Sequence, residues 1–388
     1  MLYVGLDVHS RQSSLCILNS AGGTVNQIQV KGPRSAVVDR LRQIKEPFSI
    51  CYEASCGYGH LYEQIRPMAA HIAVAHPGKL RLISNSKRKN DRVDAAKLAK
   101  LLLLDMVPQV HVPNVDVRAW RSLILLRQRL LGQLVRCKNR IRGVLREHDI
   151  AGPKWLWSKK QIAWLESLEL HSGAKLRLEL AIEELLSLNE KIKRVEKELK
   201  RYADRHPGVT LLKTIPGVGI RTAETFIAWV DDIARFRNVR QLGAYFGLVP
   251  CQDASADKNR LGHITRDGPA VMRKLITEAT WTAVKKCPVF KRFFERVMGG
   301  KNDRKKIALI AAAHRLIRVM GVMLRSGEAY RIEQPSAPAA ATACGSSMSS
   351  SATTSRSGEN PIRPQAVLPA PAPHLSPTSP LPCGGEMN

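Results

Sequence analysis

Residues 2–31 read LYVGLDVHSRQSSLCILNSAGGTVNQIQVK, and the way this stretch pairs decides the fold. LYVGLDV is a mostly apolar, β-rich run, SSLCILN is a second, and TVNQIQVK follows the turn signal AGG as a third. Three strands joined by links this short predict an antiparallel meander. Working outward, residues 35–44 (SAVVDRLRQI) place Ala36, Val37, Leu41 and Ile44 at helical spacing. FSICYEA is expected as a fourth strand, GYGHLYEQIRPM as a helix and HIAVAHP as a fifth strand. A further helix is predicted from about Asp91, with Val93, Ala96, Leu98, Leu101 and Leu104 as a broad apolar face.

The resulting order, β-β-β-α-β-α-β-α over residues 1–112, is that of an RNase H-like fold, an α/β unit built on a mixed sheet. Residues 113–206 read as almost entirely helical, with nine basic residues and no acid between Arg118 and Arg146. From Leu178, apolar residues at 178, 182, 185, 188, 192, 195 and 199 step by three and four. That spacing predicts a coiled-coil arm paired with another helix or another subunit. Residues 207–332 are expected to form a second, mainly helical unit, opening with LLKTIPGVGIRTAETFIAWV and closing with DRKKIALIAAAHRLIRVMGVML. The segment 333–388 is rich in Pro, Ser, Ala and Thr, with no aromatic residue and few charges. It cannot bury enough apolar surface to offset chain entropy and is expected to be disordered.

The chain carries 61 Lys+Arg against 33 Asp+Glu, a formal net charge of +28 in 388 residues. Such an excess favours a polyanionic partner, nucleic acid or an anionic membrane. The longest apolar run, IALIAAA from Ile307, is too short to span a bilayer, and no signal-peptide core follows Met1, so no membrane is expected. The eight cysteines show no CxxC pair and no zinc spacing with histidine, and read as reduced thiols of a cytoplasmic, nucleoid-associated protein.

Inside this basic chain four acids stand out. Asp7 ends the first strand and Glu53 the fourth, and each alone would read as a solvated strand cap. Asp91 and Asp94 share one helix face at the i, i+3 spacing. In an RNase H-like sheet the first and fourth strands are neighbours and the last helix crosses their ends, which gathers all four. Unpaired carboxylates so close would raise one another's pKa. Two divalent cations, Mg²⁺ or Mn²⁺, would relieve that repulsion and clamp a scissile phosphate. Lys79, Arg81, Lys87, Arg88, Lys89 and Arg92 border the last pair and are candidate phosphate guides, as are Arg136, Lys138 and Arg140 in the helical segment. IPGVGIRTAETF fits a helix-hairpin-helix pattern, in which Gly217 and Gly219 would turn backbone N–H groups toward DNA phosphate.

GLDVHS, CYEASCGYG and the HPG…NDRVDAAKLA block together resemble the DEDD-type insertion-sequence transposases, a family that includes Piv-like DNA invertases. The resemblance spans roughly residues 2–330. It implies a RuvC-like domain whose Asp-Glu-Asp-Asp tetrad falls on Asp7, Glu53, Asp91 and Asp94. It also implies a C-terminal transposase domain with a nucleophilic serine a few residues after GLVP. CQDASADKNR is expected there as a polar loop, and Ser255 is its only serine. GHITRDG is similar to the family's Gly-x-Ile-Ser-Lys-x-Gly segment, and Arg260, Arg266 and Arg273 are candidates to hold phosphate or transition-state charge. What the resemblance implies is excision and insertion of a mobile element in double-stranded DNA by a dimer or tetramer, directed by a bridge-type non-coding RNA. Two alternatives stand beside it: a Holliday-junction resolvase or related nuclease using water, which needs the acids but not Ser255, and a non-catalytic architectural DNA-binding protein, which needs neither.

Overall fold

Strands β1 (Leu2–Asp7), β2 (Gln12–Leu18) and β3 (Thr24–Lys31) form the expected meander, followed by α1 (Arg34–Arg42), β4 (Phe48–Glu53), α2 (Tyr58–Ile65) and β5 (His71–Ala75). The computed structural model describes residues 1–83, 91–255 and 258–331; the segment expected to be disordered, Cys344 and Cys383 lie outside them. The sheet order is β3-β2-β1-β4-β5. Its ladder is antiparallel through the meander and parallel from β1 through β4 to β5. Parallel neighbours require a crossover, which α1 and α2 supply. Val4 and Leu6 of β1, with Ile50 and Tyr52 of β4, pack on one face against Val37, Leu41, Leu61 and Ile65 of these two helices.

Next come α3 (Pro77–Ile83), a short helix that carries Lys79, and α4 (Asp91–Leu103), which covers the opposite face. A Cβ at Gly5 would sit 2.0 Å from the Ala95 carbonyl oxygen and 2.4 Å from the Ala99 nitrogen. The α4 backbone therefore rests directly on β1. This contact corrects part of the expected apolar face: Val93 and Leu104 are exposed, while Leu98 and Leu101 are buried as expected, together with Ala95, Ala99 and Leu102. Close approach to a strand selects alanines, which neither residue count nor hydropathy signals.

Two long helices follow, α5 (Val115–Glu147) and α7 (Ser172–Arg205), with α6 (Lys159–Glu166) between them. Asn114 caps α5 by accepting the Val117 N–H at 2.9 Å. Arg127–Glu196, Arg140–Glu184 and Glu147–Arg177 pairs run along the two helices in opposite order, so α5 and α7 are antiparallel partners within one chain. Leu178, Ile182, Leu185, Leu188 and Ile192 line the buried seam with Cys137, Ile141 and Val144.

The C-terminal part comprises α8 (Pro207–Leu212), α9 (Ile220–Val230), α10 (Gln241–Tyr245), a hairpin of β6 (Pro250–Ser255) and β7 (Lys258–Ile264), then α11 (Ala270–Lys286), α12 (Pro288–Met298) and α13 (Lys305–Ser326). Its core also takes in Trp120 and Ile124 of α5 and Leu199 and Ala203 of α7. Both feet of the arm are thus seated on this core. Residues Asn302–Ser326 form a helix long and apolar enough to cross a membrane, with mean hydropathy 1.8 over an 18-residue window. The sequence shows no long apolar run here because basic residues interrupt it. Ala308, Ala312, Leu316, Ile317 and Met320 place the buried side of this helix inside the C-terminal core.

Candidate catalytic site and nucleic-acid surface

Leu6 of β1 pairs with Tyr52 of β4 in the parallel ladder. Asp7 and Glu53 are the next residues, side by side at the C-terminal ends of adjacent strands. Side chains alternate along a strand. Gly5 meets α4, and Cys51 packs with Leu98 and Leu102 of α4, so Asp7 and Glu53 lie on that same face. Asp94 directly precedes Ala95, the residue seated on Gly5. The Arg92 carbonyl accepts from Gln27 Nε2 at 3.1 Å, and Arg92 Nη2 donates to Gln29 Oε1 at 3.3 Å. Gln29 is opposite Ser14 and Ser14 opposite Asp7. The first turn of α4 therefore stands over the Asp7 end of the sheet.

Each of two acids has a basic neighbour. His9 Nε2 lies 3.2 Å from Asp7 Oδ2, and Lys97 Nζ lies 3.2 Å from Asp94 Oδ1. Ser14, in the Asp7 row and on the same face, has a buried hydroxyl with no hydrogen-bond partner. The donor chemistry fits a hard divalent cation, with carboxylate oxygens on one sheet end and a spare buried hydroxyl beside them. Among the described residues, no three His, Cys, Asp or Glu side chains converge closely enough to hold a metal ion. The Asp91 side chain lies outside the described residues.

Ser255 is the last residue of β6 and stands opposite Lys258 in the hairpin. Its side chain is outside the described residues. The polar loop expected here is therefore a β-hairpin, a difference of local structure rather than of position. Its described residues 250–253 and 260–263 are exposed, which removes the alternation that would have announced strands. Arg260 faces Asp253 across the hairpin and is exposed. Arg273 on α11 donates to the carbonyls of Asp267 and Gly268, tying the turn before α11 to that helix. Arg266 is exposed with a left-handed backbone, φ 59°.

Gly217 and Gly219 differ. A Cβ at Gly217 would lie 2.5 Å from the Ala283 nitrogen of α11, so this glycine serves packing, whereas Gly219, at the start of α9, has open space. Arg127, Gln128, Arg221 and Lys274 line a cleft of about 370 Å³ beside that turn. Arg221 holds Glu224 at 2.9 Å, and burial pushes the Glu224 carboxyl up to about 7 against the opposing pull of Arg221. The sequence reading passed over this acid, although a lone glutamate in TAETFIAWV was a visible signal.

Of the other basic candidates, Lys79 is exposed on α3 and Arg136 on α5. Arg140 pairs with Glu184, and Lys138 sits 4.9 Å above the Trp157 ring. Lys87, Arg88 and Lys89 lie outside the described residues, as does the Arg81 side chain.

A mixed sheet in this order, carrying acids at its β1 and β4 ends under a crossing helix, is the architecture of a RuvC-like domain. Residues 4–149 match the DEDD transposase family of the IS110 type, and residues 209–295 match the Transposase IS116/IS110/IS902 family. The chain thus carries both transposase domains of the IS110 type and is a transposase, an enzyme that cuts and joins DNA. It is 27% identical over 345 residues to the transposase for insertion sequence element IS1111A of Coxiella burnetii, covering 84% of this chain and 91% of the relative. It is 24% identical over 287 residues to that for IS1328 of Yersinia enterocolitica, covering 73% and 86%.

Proposed function

We propose that the chain moves its insertion sequence through two cooperating sites, carboxylates Asp7, Glu53, Asp91 and Asp94 on residues 1–112 and Ser255 on residues 207–332, with residues 113–206 as the spacing arm. The observation that carries this reading is the common face and common end shared by Asp7, Glu53 and the first turn of α4. The four carboxylates would hold two divalent cations, Mg²⁺ or Mn²⁺, which when bound supply positive charge to the phosphate under attack. Ser255 Oγ gives up its proton and attacks phosphorus. One serine–phosphate bond forms, one deoxyribose–phosphate bond breaks, and the departing oxygen takes a proton. The phosphodiester energy is kept in the protein–DNA link, so the reverse step joins the strand to a new partner. Guidance by a bridge-type RNA and assembly as a dimer or tetramer rest on the family resemblance, and the net charge of +28 supports only a large nucleic-acid footprint.

Separate substitutions test the two sites. Ser255→Ala should abolish recombination and the covalent adduct trapped with the wild type, and Asp7→Asn should lower strand cleavage by at least about 100-fold. Cleavage that survives Ser255→Ala would show water as the nucleophile. DNA binding without any Mg²⁺-dependent cleavage would show an architectural protein. Co-purification of a discrete element-encoded RNA checks guidance.

A further inference from the structure

The distal end of the arm carries a surface that neither the acids nor the serine uses. Residues 148–171 reverse the chain between α5 and α7, and from Ile150 to Leu165 they contain no acid but include Lys154, Lys159 and Lys160. Trp155 is 75% exposed, while its neighbour Leu156 is buried in the arm core. The Lys154 ammonium is 5.9 Å from the Trp155 ring centroid. Two residues on, Lys138 Nζ and the Arg142 guanidinium lie 4.9 Å and 5.1 Å from the centre of the Trp157 ring. Burial, with Arg142 adding to it, holds the Lys138 ammonium below its ordinary pKa. Glu147 is paired with Arg177 and Glu184 with Arg140, and none of Lys138, Arg142 and Lys154 is within ion-pair distance of an acid among the described residues, Asp149, Glu166 and Glu169 included. An uncovered indole and several cations outside any ion pair therefore share one end of the arm.

We infer that this tip is a stacking platform for unpaired DNA, with a base on the exposed face of Trp155 and the adjoining phosphates on Lys138, Arg142 and Lys154. The occupant must offer a flat apolar face and negative charge together. A single strand offers both, because each base has a free π-face and each linkage a phosphate. A duplex offers the phosphates but stacks its base faces away. Cutting and exchanging strands unpairs bases beside the break, which gives a DNA transposase such a strand to hold.

Binding of the full-length chain without added metal tests this apart from the acids and Ser255. The probes are a short mixed-sequence DNA single strand, the same strand with abasic positions, its duplex and an RNA of the same sequence. Trp155→Ala should weaken single-strand binding roughly 5- to 100-fold and leave duplex binding within about twofold. Trp155→Tyr should restore most of the loss, and the abasic strand should bind wild type no better than it binds Trp155→Ala. Lys154→Glu should lower the salt dependence of single-strand binding by about one phosphate contact. Unchanged thermal midpoints confirm that these exposed substitutions leave the fold intact. Equal losses on duplex and single strand, no loss at all, a loss confined to the RNA, or a changed sedimentation coefficient with unchanged DNA binding would each overturn the assignment, the last by showing a contact between copies.

Discussion

The acids and the serine sit on opposite kinds of support. Asp7 and Glu53 end the two central strands of a five-stranded sheet, and the helix bearing Asp94 is seated on β1 through Gly5, Ala95 and Ala99. Ser255 ends a strand of a two-stranded hairpin whose described residues are largely exposed. Two strands alone are marginal in water, whereas a buried sheet covered on both faces is not. In the proposed reading, one half of the chemistry is positioned by the core. The other would be left for DNA to position, as a nucleophile that follows a moving strand would need.

Hydrogen exchange should show this contrast at its largest. Amides of β1 and β4 should open only with global unfolding, and those of β6 and β7 at a free energy lower by on the order of 5 kcal/mol. Gly5→Ala drives a methyl into the α4 backbone and should cost about 3 kcal/mol or more by urea denaturation, with loss of metal-dependent cleavage. The C-terminal core has a titrating element of its own. Glu224 is held at about 7, above its ordinary value, so the folded chain binds this proton more tightly than the unfolded chain does. The associated stability is fully present below the ordinary carboxylate range and is lost as pH rises through about 7. Glu224→Gln should match wild type near about pH 4 and exceed it by about 2 kcal/mol near pH 8, read from urea midpoints. The Arg127–Glu196 pair between α5 and α7 should couple by about 1 kcal/mol in a double-mutant cycle. Gly262→Ala in the hairpin, where a Cβ meets Cys251 only at 3.7 Å, should stay within about 0.5 kcal/mol of wild type. A hairpin as protected or as intolerant as the sheet would remove the distinction.

The sheet was legible because β1, β2, β4 and β5 are buried on at least one face, so their apolar runs survive in the sequence, while the largely exposed β3 was announced by the AGG turn before it. The meander and the two crossovers follow from these signals, and the adjacency of β1 and β4 from the RNase H-like order they spell out. Glu53 and Asp7 were legible as strand ends, but their common face required the register Leu6 to Tyr52. The hairpin at Ser255 was not legible, since strands exposed on both sides have no reason to alternate. Nor was the seating of α4, where contact with a glycine favours alanine over the larger residues that hydropathy highlights. Gly217 shows the same limit: its motif pointed to phosphate, and only the proximity of Ala283 reveals a packing role.

The antiparallel run of α5 and α7 has a consequence for reach. The chain leaves the C-terminal core near Trp120 and returns to it near Leu199, so both ends of the arm are anchored at one place while its tip lies about 40 Å away. Equal lengths removed from the two helices would shorten that distance in helical steps and leave Gly5, Asp7, Glu53 and Ser255 in their present surroundings. Reach is thus a quantity this architecture can vary by itself, like the span of a calliper whose jaws are left unchanged.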